Sequence, residues 1–466
     1  MAAGSEADQS IHVLLVSYPT QGHINPLLQF GKRLAARRGV RCTLAVTRHV
    51  LASTSSGNLP PQPGAVHVAA FSDGCDLRGY DEIGDARAYL ARLASAGSDS
   101  LGELLRAEAA SGRPVRAVVY DTLLPWVPRV ARRHGVAACA AFFTHPCAVA
   151  VAYAHAVAGL LALPVTEAPV EPLPGLPARL GPADLPKDLS DPGADLVYRE
   201  LMLEQCQALE VADYVLINSF HELQAVEAEY MASRWGAKTV GPTVPSAYLD
   251  NRIADDTSYG FHLHTPMAAE SKAWLDERHA HSVVYVSFGS LVALGSDQMA
   301  EIAEGLYNSG KPFLWVVRAS ETLKTPVGFT DNVKGRGLIV TWSPQLDVLG
   351  HPAIGCFVTH CGWNSTMEGL GAGVPMVAMP QWADQPMNAK YIEDVWRVGV
   401  RVRPDAEGMV RKEELERCVR EVMEGERTKL FKKNATSWSN KAKKAMAERG
   451  SSDSNMVEFL TKLQTN

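Results

Sequence analysis

The sequence predicts an α/β protein built from two doubly wound parallel sheets that face each other across a cleft. From residue 11 onward, β-rich apolar runs of strand length alternate with helix-length segments, the pattern of a parallel sheet with helices on its faces. The same alternation starts again near residue 282, after a stretch, 241 to 270, that loses periodicity and gains Pro, Gly and Asp. At 466 residues the chain is long enough for two domains. The expected division is a first domain over 1–240, a linker over 241–270, a second domain over 271–450, and a C-terminal helix over 451–466 that packs back on the first domain.

Each element follows from local pattern. "IHVLLVS" (11 to 17) reads as the first strand and "YPTQGHINP" as its loop. Leu27, Phe30, Leu34 and Ala35 then fall at helical spacing. Asn25 offers a side-chain cap and Pro26 a ring that fits a first helical position, which predicts that this helix begins there. Further strand runs lie at 40 to 46, 65 to 70, 115 to 120 and 136 to 142. The apolar stretch Ala148 to Leu163 contains His155 and is too short to span a bilayer, so it predicts a buried helix. The second series reads "SVVYVSF", "PFLWVV", "GLIVT", "GCFVTH" and "PMVAMP".

Composition excludes several classes. Hydrophobic residues at 46% and charged residues at 21% are globular values, and a net charge of −6 with no basic stripe argues against a nucleic-acid partner. The eight cysteines are scattered and form no CxxC pair, which predicts free thiols in a reducing compartment. Cys356, His360 and Cys361 lack the spacing of a zinc site, so no metal is expected. The first ten residues are small and polar and carry no secretory pattern. A cytoplasmic monomer with no membrane span is the expectation.

In open α/β sheets ligands bind beyond the carboxyl ends of the strands, so chemistry belongs in the post-strand loops. Asn364 and Ser365 follow "GCFVTH" and open a helical segment, where backbone N–H groups suit a phosphate, and His360 adds a donor. The same Ser365 with Glu368 spells S-x-x-E, a capping box that needs no ligand; both readings stand. Trp342 and Gln345 suit a planar base and a base or sugar edge, and Asp384 and Gln385 suit sugar hydroxyls, although core packing and helix starts explain the same residues. His23 is placed to take a proton from an attacking hydroxyl, with Asp121 to orient it. The alternative is a histidine that merely lines its loop. No Gly-x-Ser-x-Gly elbow or GxxxxGK[ST] loop is present.

From "WSPQLDVLGHPAIGCFVTHCGWNSTMEGL" through "GAGVPMVAMPQWADQ" (342 to 385), the chain resembles the full signature box of plant secondary-product glycosyltransferases, the UDP-sugar-dependent family-one enzymes. "PTQGHINP", "VLINSFHELQ" and "VVYVSFGSL" extend the resemblance over the whole chain. It implies the GT-B fold, two Rossmann-like domains with acceptor on the first and nucleotide sugar on the second. It further implies that Trp342 stacks on uracil, Gln345 contacts the nucleoside and Glu368 holds the ribose. His360, Asn364, Ser365 and Ser290 would contact the diphosphate, with Gly22 also at the donor, while Trp363, Asp384 and Gln385 address the sugar. The terminal Gln385 resembles glucose users. His23 would be the base and Asp121 its partner, with UDP-glucose as co-substrate and no further cofactor.

The expected activity is inverting O-glucosylation of a small lipophilic plant metabolite, hormone or xenobiotic, phenolic or trichothecene-like. Glucose ester formation on a carboxylic acid is the alternative within enzymes, and a non-catalytic UDP-sugar sensor the alternative outside them. Phe142, His145, Tyr153 and Met202 are the candidate acceptor contacts, and they equally suit a core.

Overall fold

The computed structural model describes residues 11–54, 66–167, 172–176, 179–261 and 266–465. The readings of residues 1–10, of residue 65 in the third strand run, of 262–265 in the linker and of residue 466 lie outside the described residues.

Among the described residues, thirteen strands form two parallel sheets. The first contains β1 (Ile11–Val16), β2 (Val40–Thr47), β3 (His67–Phe71), β4 (Ala117–Asp121), β5 (Ala138–Phe143), β6 (Tyr214–Ile217) and β7 (Lys238–Thr239), in the order β3-β2-β1-β4-β5-β6-β7. The second contains β8 (Val283–Ser287), β9 (Phe313–Val316), β10 (Gly337–Val340), β11 (Ile354–Thr359), β12 (Met376–Ala378) and β13 (Gly399–Arg401), in the order β10-β9-β8-β11-β12-β13. Val13, Leu14, Leu15 and Val16 are all fully buried, as expected of a strand covered by helices on both faces. In each sheet the order reverses between the first strand and a later neighbour, β1 beside β4 and β8 beside β11. Those two switch points are where a ligand crevice opens.

Two expectations need correction, and a third feature adds to the sequence reading. The first helix runs Gln21–Ala35, so it starts four residues before Asn25 and carries Pro26 inside it. Pro26 has no N–H to give to the carbonyl four residues earlier, that of Gly22, and Gly22 accepts a bond from Asn364 instead, at 2.8 Å. Secondly, the capping box does not form: Gly362 caps the helix Trp363–Ala372, and Ser365 sits inside its first turn. Thirdly, the aperiodic segment after β7 is a docked strap. Lys32 meets Asp256 at 2.8 Å with both side chains buried, Arg33 meets Asp250 at 2.8 Å, and Gln29 donates to the carbonyls of Ser258 and Tyr259. These polar pairs add to the burial of Val244, Leu249 and Phe261, which are too irregularly spaced for periodicity to reveal the attachment.

The helix Ser451–Thr465 lies against the first sheet. Phe459 packs on Phe30 and Tyr214, Ser452 donates to the Gly241 carbonyl, and Lys238 pairs with Glu458. A single apolar cluster runs from the first sheet into the second half through Trp363, Tyr391 and Trp396. Among the described residues no helix is long and apolar enough to cross a membrane.

Candidate active site

A cavity of about 1140 Å³ lies between the two switch points and is lined from both halves of the chain. From the first half, His23 is the third residue of the helix that follows β1, and Asp121 is the last residue of β4. Because β1 and β4 pair directly, residues 98 apart in sequence meet: His23 Nδ1 lies 2.6 Å from Asp121 Oδ2. Asp121 is fully buried, and its other oxygen accepts the Leu123 N–H at 3.0 Å. Thr144 Oγ1 stands 3.2 Å from His23 Nδ1. With Nδ1–H committed to the carboxylate, Nε2 carries the free lone pair, and the ring keeps 22% exposure at the cavity wall.

The second half brings the helix Trp363–Ala372 to the same cavity, with the N–H groups of its first turn free of intrahelical partners. Cys361 just before it takes φ +66, a left-handed turn that swings the chain from strand to helix. His360 ends this strand–helix junction. Burial pushes its pKa down to about 4, so the ring is neutral, and its buried Nδ1 has no hydrogen-bond partner among the described residues. Gly289 at φ +71 lies under that ring, where a Cβ would come within 2.7 Å of it; neighbouring Ser290 lines the cavity.

Gln345 organises the next contacts. Its Nε2 donates to Ser365 Oγ at 2.9 Å and to Glu368 Oε2 at 2.6 Å, while its Oε1 accepts from Tyr285. Burial raises the Glu368 pKa to about 7. Trp342 lines the same end of the cavity. Asp384 is raised by burial to about 6 and accepts from Asn388 at 2.8 Å. Gln385 Oε1 accepts the backbone N–H groups of Gln381 and Trp382, which fixes the amide and leaves its NH₂ for a ligand.

Of the expected contacts, Phe142 lies off the cavity, and Gly22, Trp363 and Asn364 line it but also commit polar groups within the protein. Phe142 is a fully buried residue of β5 packed on Phe30 and does not reach the cavity. Trp363 donates its indole N–H to the Asn218 carbonyl at 2.6 Å, so the side chain joins the two halves and does not offer that donor to a sugar. Asn364 and Gly22 bond each other across the cleft, which removes the Gly22 carbonyl and one amide N–H from the donor's reach. His145, Tyr153 and Met202 do line the cavity. Burial lowers the pKa of His145, whose Nε2 is bonded to Gln205, and the Tyr153 hydroxyl is tied to Asp188. Sequence reasoning missed the aromatic wall of Tyr18, Tyr80, Tyr198 and Trp382. Tyr18 opens the loop "YPTQGHINP" but takes no role in the sequence reading, and Tyr80 and Tyr198 stand outside any motif.

Two facing parallel sheets of this topology, with a nucleotide-sized cavity at their joined switch points, define a GT-B transferase. Residues 220–446 match the family model for UDP-glucoronosyl and UDP-glucosyl transferases. A UDP-glucosyltransferase of Hordeum vulgare subsp. vulgare is 49% identical over 97% of this chain and 94% of its own length. UDP-glycosyltransferase 79 of Oryza sativa subsp. japonica is 48% identical over 97% and 96%. The crystal structure of Os79 from O. sativa in complex with UDP superimposes with a TM-score of 0.90 at 47% identity, covering 97% of this chain and all of that one. The chain belongs to the plant family-one UDP-glycosyltransferases, enzymes that transfer a hexose from a UDP-sugar.

Proposed function

We propose that this enzyme transfers glucose from UDP-glucose, with inversion, to a hydroxyl of a small lipophilic acceptor. The observation that carries the reading is the 2.6 Å contact of His23 with a fully buried Asp121, on the wall of the cavity that also holds Glu368, Asp384 and Gln385. In this mechanism His23 Nε2 removes the acceptor proton as the oxygen attacks the anomeric carbon, and Asp121 stabilises the imidazolium that forms. The departing diphosphate gains its stabilisation from the free N–H groups at the start of the helix Trp363–Ala372 and from His360, Ser365 and Ser290, without a metal. Trp342 stacks on the uracil, Gln345 contacts the nucleoside, and Glu368 accepts from the ribose. Asp384 and Gln385 take the glucose hydroxyls.

The acceptor end is tyrosine-rich and apolar, with His145, Tyr153 and Met202 on its walls. Os79 has been crystallised with a trichothecene, which supports a compact, oxygenated, largely apolar acceptor here. The test is a panel of phenolic, terpenoid and carboxylic acceptors with UDP-glucose, read by UDP release and product mass, run on the parent enzyme and on His23→Ala. Loss of turnover on alcohols in the variant supports the base assignment. Undiminished turnover on alcohols would overturn it, and turnover confined to carboxylic acids would favour ester formation.

A further inference from the structure

The loop that offers Asp384 and Gln385 to the sugar is anchored in the opposite half of the chain. Ala383, at its tip, holds the left-handed conformation with φ +50, a backbone state that a β-carbon disfavours and that persists only when its surroundings fix it. The fixing contact is the Lys187 N–H, which donates to the Ala383 carbonyl at 2.9 Å. Beside it, Asp184 pairs with Arg401 at 2.8 Å, so the segment from 184 to 188 is fastened to the second half at two points.

Asp188 sits one residue beyond the donating N–H. Its carboxylate accepts the Tyr153 hydroxyl at 2.9 Å, and its carbonyl accepts Arg199 Nε at 2.7 Å. Tyr153 lines the cavity, whereas Asp188 does not. Asp188 therefore does not touch a bound sugar itself and can act on it through the backbone it holds or through its charge near Asp384.

We propose that Asp188, braced by Tyr153, is a positioning residue for the sugar-binding loop 381–385, so that the acceptor half of the chain sets the geometry in which glucose is held. This rests on the assignment of Asp384 and Gln385 to the sugar. UDP lacks the glucose that the loop contacts, so the device acts on UDP-glucose and leaves UDP alone.

The experiment measures KM for UDP-glucose and Kd for UDP in full-length Asp188→Ala, Asp188→Asn and Tyr153→Phe, with Gln385→Ala as control. Asp188→Ala is expected to raise the UDP-glucose KM about fivefold, the worth of one hydrogen bond, with UDP affinity unchanged. Tyr153→Phe should give the same donor effect. Asp188→Asn, whose amide oxygen still accepts from Tyr153, should restore the parent value. An unchanged UDP-glucose KM in Asp188→Ala, or an equal loss of UDP affinity, overturns the inference. Equal defects in Asp188→Asn and Asp188→Ala overturn it too, because the charge near Asp384 and not the position would then be acting. If Gln385→Ala fails to separate UDP-glucose from UDP, the sugar-loop assignment itself falls.

Discussion

The two switch points are built alike and equipped differently. At the first, the candidate base and its partner satisfy each other: His23 is bonded to Asp121, and Asp121 also takes the Leu123 N–H, while Gln21 Oε1 and Asn25 Oδ1 beside them have no partner among the described residues. At the second, capacity is left over, in the first-turn N–H groups of the helix Trp363–Ala372 and in the Gln385 amide. On the proposed roles, the acceptor side must hold one proton acceptor in one orientation, whereas the donor side must meet many groups of a large, charged molecule. Pre-paired side chains suit the first task and uncommitted donors the second.

That contrast can be broken by mutation. His23→Ala should lower kcat on hydroxyl acceptors about 10²- to 10⁴-fold, the range of general-base catalysis, while UDP binding measured by calorimetry stays at the parent value. On the proposed role of Trp342, Trp342→Ala removes base stacking worth about 1–3 kcal/mol. Its UDP Kd should rise accordingly, with kcat at saturating donor nearly intact. Glu368→Gln should raise the donor KM about tenfold through loss of a charged acceptor, with little change in Tm.

The donor half also predicts opposing pH trends. Burial raises Glu368 to about 7 and Asp384 to about 6, and donor hydroxyls need the ionised forms, so UDP-glucose affinity should fall as pH drops through about 7. The folded values lie above the unfolded ones, so proton uptake favours the folded state. These two groups should therefore raise the Tm of the donor-free enzyme over the same descent. The smallest effect is expected from Trp363→Phe, which loses the bond to Asn218: about 1 kcal/mol of stability, seen as a modestly lower Tm, with the UDP-glucose KM unchanged.

Strand positions were legible because fully buried parallel strands are continuous apolar runs, and the loops after them were legible because the fold places ligands there. The pairing of His23 with Asp121 was readable from two strand ends. What escaped was set by partners distant in sequence. Nothing near Trp363 announces Asn218, 145 residues away, as the acceptor of its indole N–H. Phe142 failed as an acceptor contact because it and Phe143 are both buried within β5, and the cavity is reached only beyond the strand end, by Thr144 and His145. Pro26 suggested a helix start by its usual preference, yet its missing N–H serves the interior of the helix by freeing the Gly22 carbonyl for Asn364.

The return of the last helix has a practical meaning for anyone recombining such enzymes. Ser451–Thr465 belongs by its contacts to the first sheet: Arg116 donates to the Leu463 carbonyl, Asn455 to that of Thr239, and Arg37 pairs with Asp453. A chimera that exchanges acceptor specificity with a single crossover in the connector would separate this helix from the surface it evolved to cover. Two crossovers, the second just before Ser451, keep that surface and its cover together, and the transferable module is then discontinuous in sequence.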